Sequence, residues 1–256
     1  MNRLNKLLAA KKDLLSIYFT AGYPKKDSTV PVLQSLQKAG VDLVEVGMPF
    51  SDPLADGPVI QNSSTVALEN GMTLKVLFEQ LTAIRETVSM PIILMGYINP
   101  VLRMGMSNFL AKCVEVGVDG VILPDLPFEL YNDQYREDFE KAGVSNIFLV
   151  TPQTPEERVR LLDEGSTSFL YMVSSAAVTG ARSGVSDNQL AYFDRIRSMN
   201  LKSPCIVGFG ISNNETYTQV CRHAHGAIIG SAFVKLLGNS LDPDGDIQRF
   251  IAEVRN

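Results

Sequence analysis

Eight short apolar runs punctuate the chain: LLSIYFT (14–20), VDLVEVG (41–47), PIILMG (91–96), VDGVILP (118–124), NIFLV (146–150), SFLYMV (168–173), PCIVGFG (204–210) and GAIIG (226–230). Each is bounded by Gly, Pro or polar residues and is apolar on both faces, which predicts buried parallel strands rather than half-exposed antiparallel ones. Helical spacing fills several of the intervals, at 29–40, 73–88, 107–117, 129–143 and 155–165; in the first, Val32, Leu33 and Leu36 share a face. Four of these segments reach a glycine, Gly40, Gly117, Gly143 and Gly165, as expected of helices that close on a C′ glycine before a strand. The junctions Gly40-Val41-Asp42, Gly117-Val118-Asp119 and Gly143-Val144-Ser145 form a weak internal repeat.

Eight strands alternating with helices predict an α/β protein, a (β/α)8 TIM barrel, as a single domain over 1–256 with a short amphipathic N-terminal helix. A doubly wound open sheet is the alternative. In a barrel the site lies in the loops at the strand C-termini. Two of those connections are long, Met48 to about Thr73 and Ser174 to Asn188, and both read as lid loops.

The net charge of −5, with no basic cluster, argues against nucleic acid or an anionic membrane as partner. A small anionic substrate stays open, because backbone amides bind phosphate whatever the net charge. Cys113, Cys205 and Cys221 form no C-x-x-C pair and read as reduced structural thiols. The N-terminus lacks a signal-peptide pattern, and no apolar run approaches the roughly 18 residues of a membrane span. A cytoplasmic protein is expected.

Two regions carry chemistry. Gly208-Phe209-Gly210-Ile211-Ser212-Asn213 and Gly230-Ser231-Ala232-Phe233 are strand–Gly–Ser–helix junctions at the last two strands. The N–H groups of Gly210, Ser212, Gly230 and Ser231 can converge on a phosphate there; the plainer alternative is two ordinary turns with serine caps. Thr179-Gly180-Ala181-Arg182 could close over the same end. The second region is Glu45, a carboxyl on the face of the second strand shared by Leu43 and Gly47. Burial raises a carboxyl pKa, which suits a general acid/base, unless Glu45 is a structural carboxylate paired with a neighbour. Asp52 and Asp56 follow in a proline-stiffened loop, and composition does not choose between them. His223 and His225 sit at the start of the last strand, so a His-rich metal site is not expected. No lysine ends a strand, and no G-x-G-x-x-G is present. Acid/base chemistry on a phosphorylated compound, without a cofactor, remains.

The run Val44-Glu45-Val46-Gly47-Met48-Pro49-Phe50-Ser51-Asp52-Pro53-Leu54-Ala55-Asp56-Gly57-Pro58-Val59-Ile60-Gln61 resembles the tryptophan synthase α subunit. Tyr18-Phe19-Thr20-Ala21-Gly22, Pro124-Asp125-Leu126-Pro127, Val178-Thr179-Gly180 and Gly208-Phe209-Gly210-Ile211 extend the likeness over nearly the whole chain. The resemblance implies retro-aldol cleavage of indole-3-glycerol phosphate to indole and glyceraldehyde 3-phosphate in tryptophan biosynthesis. It implies that Glu45 protonates indole C3 and that Asp56 partners the ring N–H. It makes Tyr171 an active-site tyrosine, Gly180, Gly210, Gly230 and Ser231 phosphate contacts, and Thr179 a lid residue. Tyr18, Tyr97 and Phe209 would line the apolar pocket, and Asp125 would face a partner. That partner is a β subunit carrying pyridoxal phosphate, in an α2β2 tetramer; no cofactor or metal is expected in this chain. One departure is Ser174-Ser175-Ala176-Ala177-Val178, where many members have an Arg and a Gly.

Overall fold

A computed structural model describes residues 2–174, 185–208 and 210–256. The strands are Leu14–Thr20, Leu43–Gly47, Ile92–Met95, Gly120–Ile122, a fifth in two pieces (Ser145–Asn146 and Phe148–Val150), Leu170–Val173, Cys205–Gly208 and Gly226–Ile229. All pairings are parallel, and the first strand lies between the second and the eighth. The first piece of the fifth strand pairs with the fourth, and the second piece pairs with the sixth. The sheet therefore closes through 145–150 into an eight-stranded barrel, the expected fold. Ile147, between the pieces, still donates its N–H to Val121 O at 2.9 Å.

Strand alternation sorts the apolar residues into two layers. Val44, Val46, Leu94, Val121 and Val207 pack outward against the helices. Leu14, Leu43, Ile93, Ile122, Ile147, Phe169, Ile206 and Ile228 fill the barrel. Helix Arg3–Ala10 closes the N-terminal end by adding Leu4 and Leu8 to the inner layer. Asn2 caps it, accepting from Asn5 N–H at 3.0 Å.

The weak repeat has a structural basis at this closed end. The Asp42 carboxylate accepts from Leu15 N–H at 2.9 Å, and Asp119 accepts from Ile92 N–H at 3.1 Å. Each aspartate thus ties the start of its strand to the neighbouring one. Arg255, near the end of the last helix, pairs with Asp42 at 2.6 Å. Arg85 pairs with buried Asp119 at 2.8 Å and also donates to the carbonyls of Gly117 and Met90. His225 also lies at this end, its Nε2 3.0 Å from Leu8 O.

Several expected boundaries shift. Gly40, Gly117 and Gly143 have φ of +82°, +76° and +67° and do terminate helices. Gly165 does not take that role: its helix, Glu156–Gly165, closes on Ser166 in an extended conformation. Glycine is required there because a Cβ would stand 2.3 Å from the Phe128 ring. The stretch from Met48 to Thr73 is not one long loop, since Pro58–Glu69 is a helix opened by proline at its first position. The irregular parts are 48–57 and the short turn 70–73. The segment 129–143 is broken by a π turn at Tyr131–Tyr135. Most of the other expected lid, 175–184, lies outside the described residues. Among the described residues no helix is long and apolar enough to cross a membrane.

Removing one partner of a buried ion pair leaves the other charge uncompensated. Arg85→Met is therefore expected to lower the unfolding free energy by about 3 kcal/mol or more. The measurement is a urea midpoint at constant m-value; a loss below about 1 kcal/mol would mean that Arg3, 3.3 Å from Asp119, suffices alone.

Candidate active site

Glu45 points into the barrel from the second strand and has no solvent exposure. Its Oε1 accepts from Ser16 Oγ at 3.3 Å, and its Oε2 has no hydrogen-bond partner among the described residues. It shares the interior with Leu43, Ile93 and Ile122. Desolvation pushes its carboxyl up to about 8, opposed by the Ser16 hydrogen bond. No basic side chain pairs with it among the described residues; its one recorded partner is the Ser16 hydroxyl.

The loop 48–57 brings a second carboxyl over the barrel mouth. Asp56 N–H donates to Pro53 O at 3.0 Å, and Gln61 Nε2 holds the Asp56 carbonyl at 2.9 Å. Tyr97, at the end of the third strand, stacks on Phe50 with ring centroids 5.2 Å apart. Its hydroxyl accepts from Ala55 N–H at 2.9 Å and donates to Asp56 Oδ2 at 3.1 Å. One tyrosine thus anchors the loop and aims the carboxylate. Burial raises the Asp56 carboxyl to about 6, and the Tyr97 hydrogen bond partly offsets the rise. Asp52 is exposed, and its carboxylate is bonded only to its neighbour Ser51 among the described residues. The geometry therefore favours Asp56 over Asp52. A narrow cleft beside Asp56 is lined by Tyr18, Met48, Phe50, Pro53 and Tyr97.

Tyr18 and Tyr171 connect the two carboxyls. Tyr18 lies opposite Glu45 in the strand register. The charges of Glu45 and Asp56 both raise the phenol pKa of Tyr18 and of Tyr171, adding to burial, so both phenols stay neutral. Each occupies space that a glycine leaves open. A Cβ on Gly47 would stand 2.2 Å from Tyr18 Oη, and one on Gly208 would stand 2.0 Å from Tyr171 Oη. Neither glycine is among the site residues expected from the sequence.

The two junctions at the last strands prove unequal. Ser212 N–H donates to Thr216 Oγ1 at 3.2 Å, and Asn213 caps the helix Asn214–Cys221 through Thr216 N–H at 3.0 Å. Asparagine, not serine, is the cap there. Gly210 is left-handed, with φ +79°. Gly230, by contrast, precedes helix Ser231–Asn239 without any side-chain cap, and Ser231 is exposed. The first-turn amides of that helix have no acceptor of their own in the helix and suit an anion. Phe209, Thr179 and Gly180 lie outside the described residues. Asp125 is exposed, and its Oδ1 accepts from Ile98 N–H at 2.9 Å, so it also ties the third and fourth loops together.

Ser16 was missed. The signal was present: a polar residue in the apolar run LLSIYFT, two positions before Tyr18 and so on the same inward face.

The model of the family described as tryptophan synthase alpha chain matches residues 4–256. The tryptophan synthase alpha chain of Flavobacterium johnsoniae is 56% identical over 255 residues, covering 100% of both chains. A mutant tryptophan synthase alpha-subunit from Pyrococcus furiosus superposes with a TM-score of 0.87 at 34% identity, covering 95% of this chain and 98% of that one. A chain of the tryptophan synthase complex from the same organism gives 0.86 at 34% identity, with the same coverage.

The burial of Glu45 has a measurable cost. Its folded pKa lies above the unfolded value, so between about pH 4.5 and 8 the folded state holds more protons than the unfolded one. Stability must fall as pH rises through that window, by up to about 1.4 kcal/mol per pH unit from this group. Glu45→Gln carries no such charge. The variant is expected to gain stability relative to the parent progressively from pH 4.5 to 8 in urea denaturation; parallel curves would refute the burial cost.

Proposed function

The chain belongs to the tryptophan synthase alpha chain family, and we propose that Glu45 and Asp56 divide between them its cleavage of indole-3-glycerol phosphate. This lyase reaction breaks the bond between indole C3 and the first side-chain carbon. C3 gains a proton, the bonding pair returns to the ring, and the hydroxyl on the departing carbon loses its proton to become an aldehyde. The products are indole and glyceraldehyde 3-phosphate.

The observation that carries this reading is the pair of carboxyls with separated proton affinities, about 8 for Glu45 and about 6 for Asp56. Near neutrality Glu45 is an acid and Asp56 an anion. A proton delivered to carbon needs a protonated donor, which Glu45 supplies; the carboxylate so formed is a base for the side-chain hydroxyl. Protonation at C3 places positive charge on the ring nitrogen. Asp56, held by Tyr97, stabilises that charge most in the transition state. Tyr18, Tyr97 and Tyr171 flank the ring, with Phe209 added from the family resemblance. The phosphate takes the amides of Gly230 and Ser231, joined by Gly210. Ser212, Thr179 and Gly180 complete that end in the same reading, with Ser212 the weaker contributor because its N–H already has an acceptor.

The remaining parts of the reading concern the setting. Indole passes to a β subunit, which carries the pyridoxal phosphate and joins indole to serine, in an α2β2 assembly. The likeness to a chain of a tryptophan synthase complex supports this. Leu54, exposed on the same loop as Asp56, and Asp125 give the mouth a surface such a partner could cover. The α chain itself uses no cofactor and works in the cytoplasm as one barrel domain.

Three outcomes are expected. Glu45→Gln abolishes indole release while a phosphate ester still binds; full activity would overturn the assignment. Asp56→Asn lowers kcat by about a hundredfold or more. In the parent, kcat for indole formation rises as Asp56 ionises and falls as Glu45 loses its proton, giving a bell centred between about pH 6 and 8. Separately, Ser231→Glu puts a carboxylate at the proposed phosphate end, and KM for the substrate is expected to rise about tenfold or more with kcat less affected.

A further inference from the structure

The reaction above gives no role to Ser16. This side chain is fully buried in the first strand, on the face that enters the barrel, among residues chosen otherwise for apolar packing. A buried hydroxyl needs a partner, and Ser16 has found Glu45 Oε1 at 3.3 Å. The strand register explains the reach. Ser16 is opposite Leu43, and Tyr18 is opposite Glu45, so Ser16 approaches Glu45 diagonally from the closed end of the barrel. The phenols near enough to feel the Glu45 charge are those of Tyr18 and Tyr171.

We propose that Ser16 is the positioning residue for Glu45: its hydroxyl anchors Oε1 from the barrel floor and leaves Oε2 as the oxygen that carries the transferred proton. This inference rests on Glu45 as the proton donor. An oxygen that accepts a hydrogen bond serves as the carbonyl oxygen of the neutral acid, so the proton resides on the other. Among the described residues Oε2 has no hydrogen-bond partner, which fits that role. In the step itself the Oε2–H bond breaks, a C3–H bond forms, and the electron pair stays on the carboxyl. The Ser16 hydroxyl then donates to a carboxylate, where the same hydrogen bond is stronger. It therefore favours the product of proton donation more than the starting acid.

The groups that face Glu45 can be separated by their titration. Tyr18 on the first strand and Tyr171 on the sixth have phenols raised by burial and stay neutral. Asp56, from the mouth loop, titrates near 6. The third and fourth strands present Ile93 and Ile122, which do not ionise. Among the described residues this leaves Glu45 as the group that titrates near 8 within the barrel.

The test uses the full-length protein as Ser16→Ala and Ser16→Cys, which lose the strong donor, and Ser16→Thr, which keeps it. Two quantities are read: kcat against pH for indole release from indole-3-glycerol phosphate, and the Glu45 carboxyl titration by carbon-13 NMR, assigned with Glu45→Gln. In Ser16→Ala and Ser16→Cys both the alkaline limb and the carboxyl titration are expected to move up by about 0.5–1 pH unit. Plateau kcat should fall several-fold while KM stays within about twofold; Ser16→Thr should restore the parent profile. An unmoved carboxyl titration overturns the inference, as does a loss expressed in KM with the limb in place. If the carboxyl titration moves and the kinetic limb does not, Glu45 is not the proton donor, and Ser16 loses its role in the reaction with it.

Discussion

The constraint on which the rest depends is the desolvation of one carboxyl. Glu45 sits on the second strand of a closed barrel, with one long hydrogen bond and no counter-charge among the described residues. A cation beside it would make it a better-satisfied group with no proton to donate near neutrality, because the proton would leave well below pH 7. The barrel instead keeps it in apolar company, which holds the proton on it near pH 7. That arrangement weakens the fold, and the compensation lies at the opposite end. There Asp42 and Asp119 are each satisfied by a backbone amide and by arginine. Paired carboxylates close the barrel floor, and an unpaired one stands at the working end.

The division also explains the glycines and tyrosines of the mouth. Gly47 and Gly208 end their strands where Tyr18 and Tyr171 need room for their hydroxyls. The phenols fill space between the two carboxyls without adding a charge of their own in the neutral range. Tyr97 does a different task, since its hydroxyl is spent on the loop that carries Asp56. Three tyrosines thus differ in function because of what their hydroxyls touch, a distinction that residue type alone does not draw.

Much of the fold was legible in the sequence because buried parallel strands leave a strong mark. All eight apolar runs are strands, and the alternation of Leu43, Glu45 and Gly47 against Val44 and Val46 sorts inward from outward correctly. Boundaries set by tertiary contact were not legible. Gly165 answers to the Phe128 ring rather than to a left-handed turn, and the helix Pro58–Glu69 was read as loop because its apolar face is weak, with Asn, Ser and Thr in its middle. At the site, Glu45 could be singled out as a charge in an apolar strand. Choosing Asp56 over Asp52 from residues alone was not possible, since the choice depends on Tyr97, 41 positions away. Ser16 escaped notice because serine is common enough in strands to pass without remark.

The last two strand–helix junctions show why the site has a direction. They share a Gly–Ser pattern, yet Thr216 and Asn213 consume the donors at one, and the other keeps its first-turn amides without a side-chain cap. Gly230 also lies against the first strand, where a Cβ would be 3.6 Å from Tyr18. Tyr18 therefore touches the anion end on one side and faces Glu45 across the register on the other. In the proposed reading, a substrate with a phosphate at one end and a ring at the other has its length measured by that single side chain. Orientation then follows from where the unspent backbone donors are, and chemistry from where the unpaired carboxyl is. The two are independent properties of the second and eighth strands, which flank the first, so that in the proposed reading one barrel holds an anion near Gly230 and keeps Glu45 protonated.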